Sequence, residues 1–168
     1  MITYDQYLQF SPYFAEQDIE KNGERAGFLN LFNGLPQTVK NLVTSLDAAE
    51  KIVNIGKTFG LDEFDTEALS FAIRKIATGE VFIGNGVELI AGETGLPLER
   101  AKNVLGLIVN EVFAPALEDI KKIQTSKFPQ RFGVPVQPQS QVPPPVKQPE
   151  PPQATNPNVI NLRNRQTE

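Results

Sequence analysis

Apolar residues recur at intervals of three and four between residues 98 and 124, which is the spacing that places side chains on one face of a helix. This pattern predicts the longest helix of the chain over residues 98–124. Pro115 lies inside the pattern and has no backbone N–H, so we expect a kink between Glu111 and Pro115. The apolar positions are Leu98, Ala101, Leu105, Ile108, Val112, Ala116, Ile120 and Ile123.

Three apolar-periodic stretches end in a glycine followed by a leucine. Glycine can adopt the left-handed conformation that ends a helix, and the next apolar residue can fold back onto the last turn. Helices are therefore predicted to end near residues 33, 59 and 94. Proline follows two of these pairs, where it suits the first turn of the next helix. The pairs are Gly34-Leu35, Gly60-Leu61 and Gly95-Leu96, and the prolines are Pro36 and Pro97.

Between these stops, residues 37–59 present one apolar face that could belong to one helix or to two, because a polar residue near the middle could cap a second helix. The next helix is predicted to end at Gly79, where glycine again provides a stop. The candidate N-caps are Ser45 or Asp47 within the first segment, and Asp62 or Asp65 for the following helix.

The segment from residue 79 to residue 94 has two interpretations. Gly84-Asn85-Gly86 separates two apolar runs, as the turn of a β-hairpin would. However, Asn85 followed by Glu88 resembles a helix N-cap and its partner, and apolar residues continue to the stop at Gly95. A short helix is the preferred prediction, and a hairpin is the alternative.

The whole pattern predicts an all-α protein, a small bundle of about four to six helices followed by a disordered proline-rich C-terminal tail. We expect residues 1–35 to be an aromatic-rich segment that packs on the bundle, and residues 36–126 to be the bundle itself. Residues 127–157 are predicted to be a proline-rich linker, and residues 158–168 a possible short linear motif. The aromatic and apolar residues of the first segment could form an exposed docking strip, but burial in the core is the preferred interpretation, since a small bundle needs every large apolar group it has. These residues are Tyr4, Tyr7, Leu8, Phe10, Tyr13 and Phe14.

Ten of the fourteen prolines lie between Pro129 and Pro157, interleaved with polar residues. Such a composition cannot form a core, and it favours an extended spacer that is partly polyproline II. Apolar and arginine residues follow the spacer, so a partner protein could bind this end of the chain. The candidate partner-binding residues are Val159, Ile160, Leu162, Arg163 and Arg165.

Charge and composition exclude several functions. Residues 1–126 carry 11 basic and 18 acidic side chains, a net charge of −7 that disfavours broad binding to nucleic-acid phosphates. The chain has no histidine and no cysteine, which removes imidazole general bases, thiolate nucleophiles and the usual zinc ligands. We therefore expect no enzymatic activity, no catalytic residue, no cofactor and no metal.

An acidic cluster is the remaining candidate for a metal site. Glu63, Asp65 and Glu67 could in principle hold magnesium, but acidic residues are common at the start of a helix, and we interpret them in that way. No signal peptide and no membrane span are predicted, because the N-terminus lacks a basic residue before an apolar run and the most apolar stretch is too short. A cytoplasmic location is the expectation, and the oligomeric state is left open.

Residues 89–104 resemble the helix-turn-helix pattern of bacterial DNA-binding proteins. Ala91 is small where two helices would cross, Gly95 would make the turn, and Val104 would anchor the second helix. The second helix would then present three side chains of the types that contact bases and phosphates in a major groove. These candidate nucleic-acid-binding residues are Arg100, Lys102 and Asn103.

The chain as a whole is similar to short all-helical proteins of bacteria with very small genomes. The residues that carry this resemblance are Leu35-Pro36, Ala49-Glu50-Lys51-Ile52, Gly79-Glu80, residues 96–102 and residues 158–163. The resemblance implies a bacterial, intracellular protein and no particular activity. The functional prediction is therefore a non-enzymatic protein-interaction or adaptor protein, with a helix-turn-helix nucleic-acid-binding protein as the alternative.

Overall fold

A computed structural model describes residues 1–13 and 24–133. These residues form eight α-helices and no strand, which confirms the all-α prediction, although the expected four to six helices are too few. The helices are α1 Tyr4–Phe10, α2 Glu24–Asn33, α3 Gln37–Val43, α4 Leu46–Phe59, α5 Glu63–Ala77, α6 Gly86–Thr94, α7 Leu98–Leu107 and α8 Leu117–Lys127. Residues 127–133 of the predicted linker contain the end of α8 and a 3₁₀ turn over Pro129–Phe132. The rest of the predicted tail, from residue 134 onward, lies outside the described residues.

The three predicted helix ends are confirmed at Asn33, Phe59 and Thr94. Gly60 is left-handed with φ +69°, and the Leu61 N–H donates to the carbonyl of Gly56 at 2.9 Å. This bond across the last turn is the one expected of a glycine stop followed by leucine. Gly95 is also left-handed, with φ +67°.

The end of α2 differs from the prediction, because Gly34 is not among the left-handed glycines of the described residues. The N–H of Gly34 donates to the Leu31 carbonyl at 3.1 Å, and that of Leu35 donates to the Phe32 carbonyl at 3.0 Å. These three-residue bonds tighten the last turn and satisfy its carbonyls, so a left-handed residue is not required there.

Residues 37–59 form two helices, which decides the question that the apolar pattern left open. The hydroxyl of Ser45 accepts a hydrogen bond from the Ala48 N–H at 3.3 Å and caps α4. Asp62 caps α5 in the same way, since its carboxylate accepts from the Asp65 N–H at 2.9 Å. The side chains of Ser45 and Asp62 thus cap the N-termini of both helices, as expected for serine and aspartate at these positions.

The predicted helix over residues 98–124 is wrong as one continuous element. Helix α7 ends at Leu107, a π-turn follows over Ile108–Val112, and a 3₁₀ turn over Ala114–Ala116 leads into α8. The Phe113 N–H reaches back five residues to the Ile108 carbonyl at 2.8 Å. Pro115 cannot donate a backbone hydrogen bond, and the chain accommodates it by breaking the helix where a kink was expected. The longest described helix is instead α5, with 15 residues.

The preferred helix between residues 79 and 94 is confirmed as α6, but its predicted cap is wrong. Asn85 makes no side-chain hydrogen bond to the helix. Its backbone has φ −96° and ψ 8°, whereas a capping residue usually has an extended backbone. A 3₁₀ turn over Ile83–Asn85 leads directly into α6 and takes the place of a side-chain cap.

The core lies between α3, α4, α5, α6, α7, the π-turn and α8, and it is made mainly of aliphatic side chains. Helices α4 and α5 approach closely at Gly56, where a Cβ atom would lie 2.5 Å from the Thr66 hydroxyl oxygen. The largest fully buried apolar side chains are Val39, Val43, Ile52, Leu69, Ile73, Ile76, Ile90, Val104, Ile108, Phe113 and Ile120.

The N-terminal segment is attached to the bundle through side-chain hydroxyls. Phe10 is buried, the Ser11 hydroxyl donates to the Val43 carbonyl at 3.0 Å, and the Ser70 hydroxyl donates to the Phe10 carbonyl at 2.9 Å. Tyr4, in contrast, is 73% exposed. The preferred interpretation of burial therefore holds for Phe10 and is wrong for Tyr4.

Gln124 is the largest uncharged polar side chain in the interior of the described residues, and it is 1% exposed. Its amide nitrogen donates to the carbonyls of Ile76 at 2.7 Å and Val81 at 3.0 Å. Its amide oxygen accepts from the Ile83 N–H at 3.0 Å. The end of α5 and the segment that follows it are therefore held to α8 by one side chain.

Among the described residues, no helix has the length and apolar character that crossing a bilayer requires.

We expect Gln124→Leu to lower the free energy of unfolding by about 2 kcal/mol or more, because leucine removes three hydrogen bonds to the backbone. The Ile76 carbonyl keeps the Gly79 N–H as a donor, whereas the part-buried Val81 carbonyl and Ile83 N–H lose the Gln124 partner at about 1–3 kcal/mol each. Urea denaturation followed by circular dichroism measures this change. Gln130→Leu, at an exposed position beyond α8, is the control and should change stability by less than about 0.5 kcal/mol. Equal effects of the two substitutions would contradict the assigned role of Gln124.

Candidate interaction sites

The segment predicted to resemble a helix-turn-helix does contain two helices, α6 and α7, joined through left-handed Gly95. Ala101 and Val104 face the core and are fully buried. Ala91 is only half-buried. A close approach between the two helices occurs at Gly86, where a Cβ atom would lie 3.1 Å from a methyl group of Leu105.

Arg100, Lys102 and Asn103 are all exposed, but Arg100 has a structural contact. Its guanidinium donates to the Phe59 carbonyl at 2.5 Å and lies 5.7 Å from the centre of the Phe59 ring. A cation at the last carbonyl of a helix stabilises the negative end of that helix. The side chain of Arg100 therefore connects α7 to the C-terminus of α4, and Lys102 and Asn103 remain the candidates for contact with a nucleic acid.

The candidate partner-binding residues of the tail lie outside the described residues. Val159, Ile160, Leu162, Arg163 and Arg165 all follow residue 133, where the described residues end, and so does the proline-rich segment over residues 134–157. Their role in binding a partner stays a prediction.

The acidic cluster of residues 63–67 lies in the first turns of α5. Glu63 and Asp65 belong to its first turn, directly after the Asp62 cap. Carboxylates at this position interact favourably with the positive end of the helix. Within residues 1–13 and 24–133, no group of three or more histidine, cysteine, aspartate or glutamate side chains is arranged to hold a metal ion.

A groove on the surface beside α1 was not predicted from the sequence. We call it the Tyr4 groove, and its volume is about 360 Å³. Tyr4 is 73% exposed and Leu46 is 49% exposed, so both present apolar surface to solvent. The signal that could have indicated the groove is Leu46, an apolar residue placed directly after a helix cap. The lining residues are Ile2, Thr3, Tyr4, Tyr7, Thr44 and Leu46.

The Tyr4 groove is held in shape by hydrogen bonds. The Tyr7 hydroxyl donates to the Thr44 carbonyl at 2.9 Å, and the Tyr7 ring lies 6.5 Å from the Tyr4 ring between centroids. The N–H of Ile2 donates to the carboxylate of Glu50 at 2.9 Å. The Tyr7 bond joins α1 to Thr44, just before α4, and the Ile2 bond joins the N-terminal residues to α4 itself.

Arg74 is a charged side chain inside the bundle, with 3% of the residue exposed. Its guanidinium lies 4.4 Å from the centre of the Phe71 ring, and its Nε atom lies 3.8 Å from a carboxylate oxygen of Glu80. Burial lowers the pKa of Arg74, and the charge of Glu80 opposes this shift. Arginine nevertheless stays protonated in proteins, so this site supplies a fixed positive charge beneath Glu80.

Asp119 connects α8 to α3. Its carboxylate accepts hydrogen bonds from the Thr38 hydroxyl at 2.6 Å and from the Lys122 ammonium at 2.9 Å. The Thr38 hydroxyl, followed by Lys122, lowers the pKa of Asp119, and Asp119 in turn raises the pKa of Lys122. The interaction between the two helices is therefore strongest when Asp119 is ionised.

No protein-family model matches this chain, and neither a curated protein nor a solved structure matches it. The resemblance to short helical proteins of small-genome bacteria therefore remains a prediction.

We expect the stabilisation by Thr38 to depend on pH. Because the pKa of folded Asp119 is depressed, its contribution is present above the unfolded carboxyl pKa of about 3.9 and is lost as the pH falls through the folded value. Thr38→Val should therefore lower the free energy of unfolding most at neutral pH and progressively less below about pH 4.

Urea denaturation at a series of pH values measures this dependence. Thr58→Val is the matched control, because the Thr58 hydroxyl donates at 2.8 Å to the backbone carbonyl of Asn54, which does not titrate. The effect of the control should not change with pH in this way. A Thr38→Val effect that is independent of pH would show that Asp119 is not the partner that matters.

Proposed function

We propose that this chain is a non-enzymatic protein-interaction protein, an adaptor in which the helical domain offers one contact surface and the terminal peptide offers another. The observation that carries the proposal is the Tyr4 groove, where large apolar side chains face solvent in a preformed hollow. A cytoplasmic location belongs to the same proposal.

The side chains of the groove are of the kind that protein interfaces use. Tyrosine is enriched among the residues that dominate binding energy, because it combines a large apolar ring with a polar tip. Covering Tyr4 and Leu46 would remove apolar surface from water at roughly 25 cal/mol per Å². A partner that covers both side chains therefore gains binding energy from surface that the bundle itself leaves exposed.

The attachment of α1 supports the same proposal. Ser11 and Ser70 fix the end of α1, and Tyr7 fixes its middle by donating to Thr44. A binding surface that is already rigid loses less conformational entropy when a partner binds. The groove can therefore act without a folding step.

The terminal residues provide the second proposed contact. Val159, Ile160 and Leu162 with Arg163 and Arg165 combine apolar anchors with positive charge, and a long proline-rich segment precedes them. Two contacts joined in one chain raise the overall affinity through their effective concentration, without any new interaction. This arrangement is the reason to propose an adaptor rather than a domain with one binding surface.

The chemistry that remains in the sequence also supports a binding role. Without histidine or cysteine, an enzyme would have to rely on carboxylates, hydroxyls, lysines and arginines. The described acidic residues at the start of α5 serve that helix, and Asp119 serves the contact with α3. A structural role already accounts for these carboxylates.

A pull-down from nuclease-treated lysate with the full chain tests both proposed contacts. We expect the double variant Ile160→Asp and Leu162→Asp to lose partners that the wild type retains, and Tyr4→Ser to weaken retention of partners bound at the groove. Quantitative mass spectrometry compares the captured proteins.

Two matched controls accompany these variants. Ala154→Asp with Thr155→Asp adds the same charge to the tail outside the apolar motif, and Phe64→Ser removes an aromatic side chain that is 79% exposed but lies outside the groove. Partners should survive both controls. Identical captured proteins for the wild type, the Tyr4 variant and the tail variant would remove the proposal.

The second candidate function is nucleic-acid binding through α6 and α7, and the specific observation in its favour is the helix-turn-helix connection at Gly95. Lys102 and Asn103 are exposed on α7, the helix that would enter a major groove. The net charge of −7 over residues 1–126 and the contact of Arg100 with Phe59 make this the weaker candidate.

If this candidate is right, the protein binds labelled DNA at about 50 mM salt, and its affinity for DNA falls steeply as the salt concentration rises. Lys102→Ala should abolish this binding, whereas Lys57→Ala, which changes an exposed lysine of α4, should preserve it. Fluorescence anisotropy measures both. If the wild type fails to bind DNA at low salt, nucleic-acid binding is excluded as the function.

A further inference from the structure

A second cavity, of about 460 Å³, lies where the C-terminal ends of α2, α5 and α8 meet. We call it the lysine pocket. Three of its lining residues, Leu31, Leu35 and Ile123, are aliphatic. The charged residues among those that line it are Lys122 and Lys127. Leu35 is buried and Leu31 and Ile123 are half-buried, whereas both lysines are exposed, so the lysine pocket is apolar at its base and positive at its edge.

Positive charge at this place is unusual for the domain, because residues 1–126 have a net charge of −7. The ammonium of Lys122 is 2.9 Å from Asp119, which lies outside the lining and is held by Thr38. Lys127, at the last position of α8, passes close to Gly79, where a Cβ atom would lie 3.2 Å from the Lys127 Cγ atom. Packing against Gly79 thus places the stem of Lys127 at the wall of the cavity.

The ends of three helices would by themselves favour a cation, because helix C-termini carry partial negative charge. Two of these ends are already compensated. The Asn33 carbonyl of α2 accepts from the Lys40 ammonium at 2.8 Å, and the Lys75 carbonyl of α5 accepts from the Glu80 N–H at 2.9 Å. The Ile76 carbonyl accepts from Gln124 at 2.7 Å. A ligand therefore meets the lysine ammonium groups rather than unsatisfied carbonyls of α2 and α5.

We infer that the lysine pocket binds a small carboxylate that carries a hydrocarbon chain, such as a medium-chain fatty acid. The hydrocarbon chain of the ligand lies on Leu31, Leu35 and Ile123. Its carboxylate pairs with the ammonium of Lys127 and with the N–H groups of Lys122 that do not donate to Asp119. The cavity volume is within the range of roughly 300–1,000 Å³ that small-molecule sites occupy. This ligand site is separate from the Tyr4 groove and goes beyond the proposed adaptor function.

Titration of the full ¹⁵N-labelled chain with octanoate tests the inference by nuclear magnetic resonance. We expect saturable shifts of the amides of Leu31, Leu35 and Ile123, with no comparable shifts at Tyr4 and Thr44. Acetate keeps the carboxylate without the chain, and octylammonium keeps the chain with the opposite charge, so neither should reproduce the shifts at the same concentration.

A pair of lysine variants separates charge at the pocket from charge on the surface. Lys127→Gln should weaken octanoate binding by roughly fivefold, the size of a partly exposed ion pair. Lys121→Gln is the matched control on the same helix, since Lys121 pairs with Glu118 at 2.8 Å and does not line the cavity. Leu31→Gln should weaken binding through the apolar base, and a thermal melt confirms that each variant is folded.

Four outcomes would overturn the inference. They are octylammonium binding as well as octanoate, acetate producing the same shifts, equal affinities for Lys127→Gln and Lys121→Gln, and no saturable shift at the pocket. N-acetylleucine imitates the apolar C-terminal residue of a peptide, and tighter binding of this probe than of octanoate would also overturn the proposed ligand class in favour of a peptide end.

Discussion

The hydrogen bonds of Gln124 are the constraint on which the C-terminal half of the bundle depends. After α5 ends at Ala77, the chain must turn and enter α6 without burying unpaired backbone groups. The side chain of Gln124 meets this need, because it binds the carbonyls of Ile76 and Val81 and the N–H of Ile83. Helix α8 therefore holds in place the turn between α5 and α6, and it also contributes Lys122, Ile123 and Lys127 to the lysine pocket.

Hydroxyl groups play the corresponding role at the N-terminus. Tyr7, Ser11 and Ser70 each donate to a backbone carbonyl and attach α1 to α3–α5 through directional bonds, in addition to the apolar contact of the buried Phe10 ring. Because these bonds set the orientation of α1, Phe10 enters the core while Tyr4 faces solvent. The Tyr4 groove is thus a consequence of how α1 is attached, and its exposed apolar surface is the physical basis of the proposed binding role.

Sequence reasoning succeeded where one residue type decides the local backbone. Ser45 and Asp62 cap their helices because their side chains reach an N–H three residues ahead, and Gly60 ends α4 because it can be left-handed. It failed where neighbours in space compete with that preference. Gly34 did not need a left-handed conformation, and Arg100, selected as a base-contacting residue, instead binds the end of α4. Neither candidate cavity was foreseen, because each is lined by segments that are distant in the chain.

The sequence by itself determined that this protein is all-α, where several of its helices begin or end, and that it offers no histidine or cysteine chemistry. Those properties follow from local periodicity, capping residues and the absence of histidine and cysteine. Only the tertiary structure decided that Pro115 breaks a helix rather than bending it, that Tyr4 is exposed, and that Lys122 and Lys127 share a cavity with aliphatic residues of other helices. The physical reason is that burial and the sharing of a surface depend on how helices pack against one another, and contacts between distant segments leave no periodic signal in the chain.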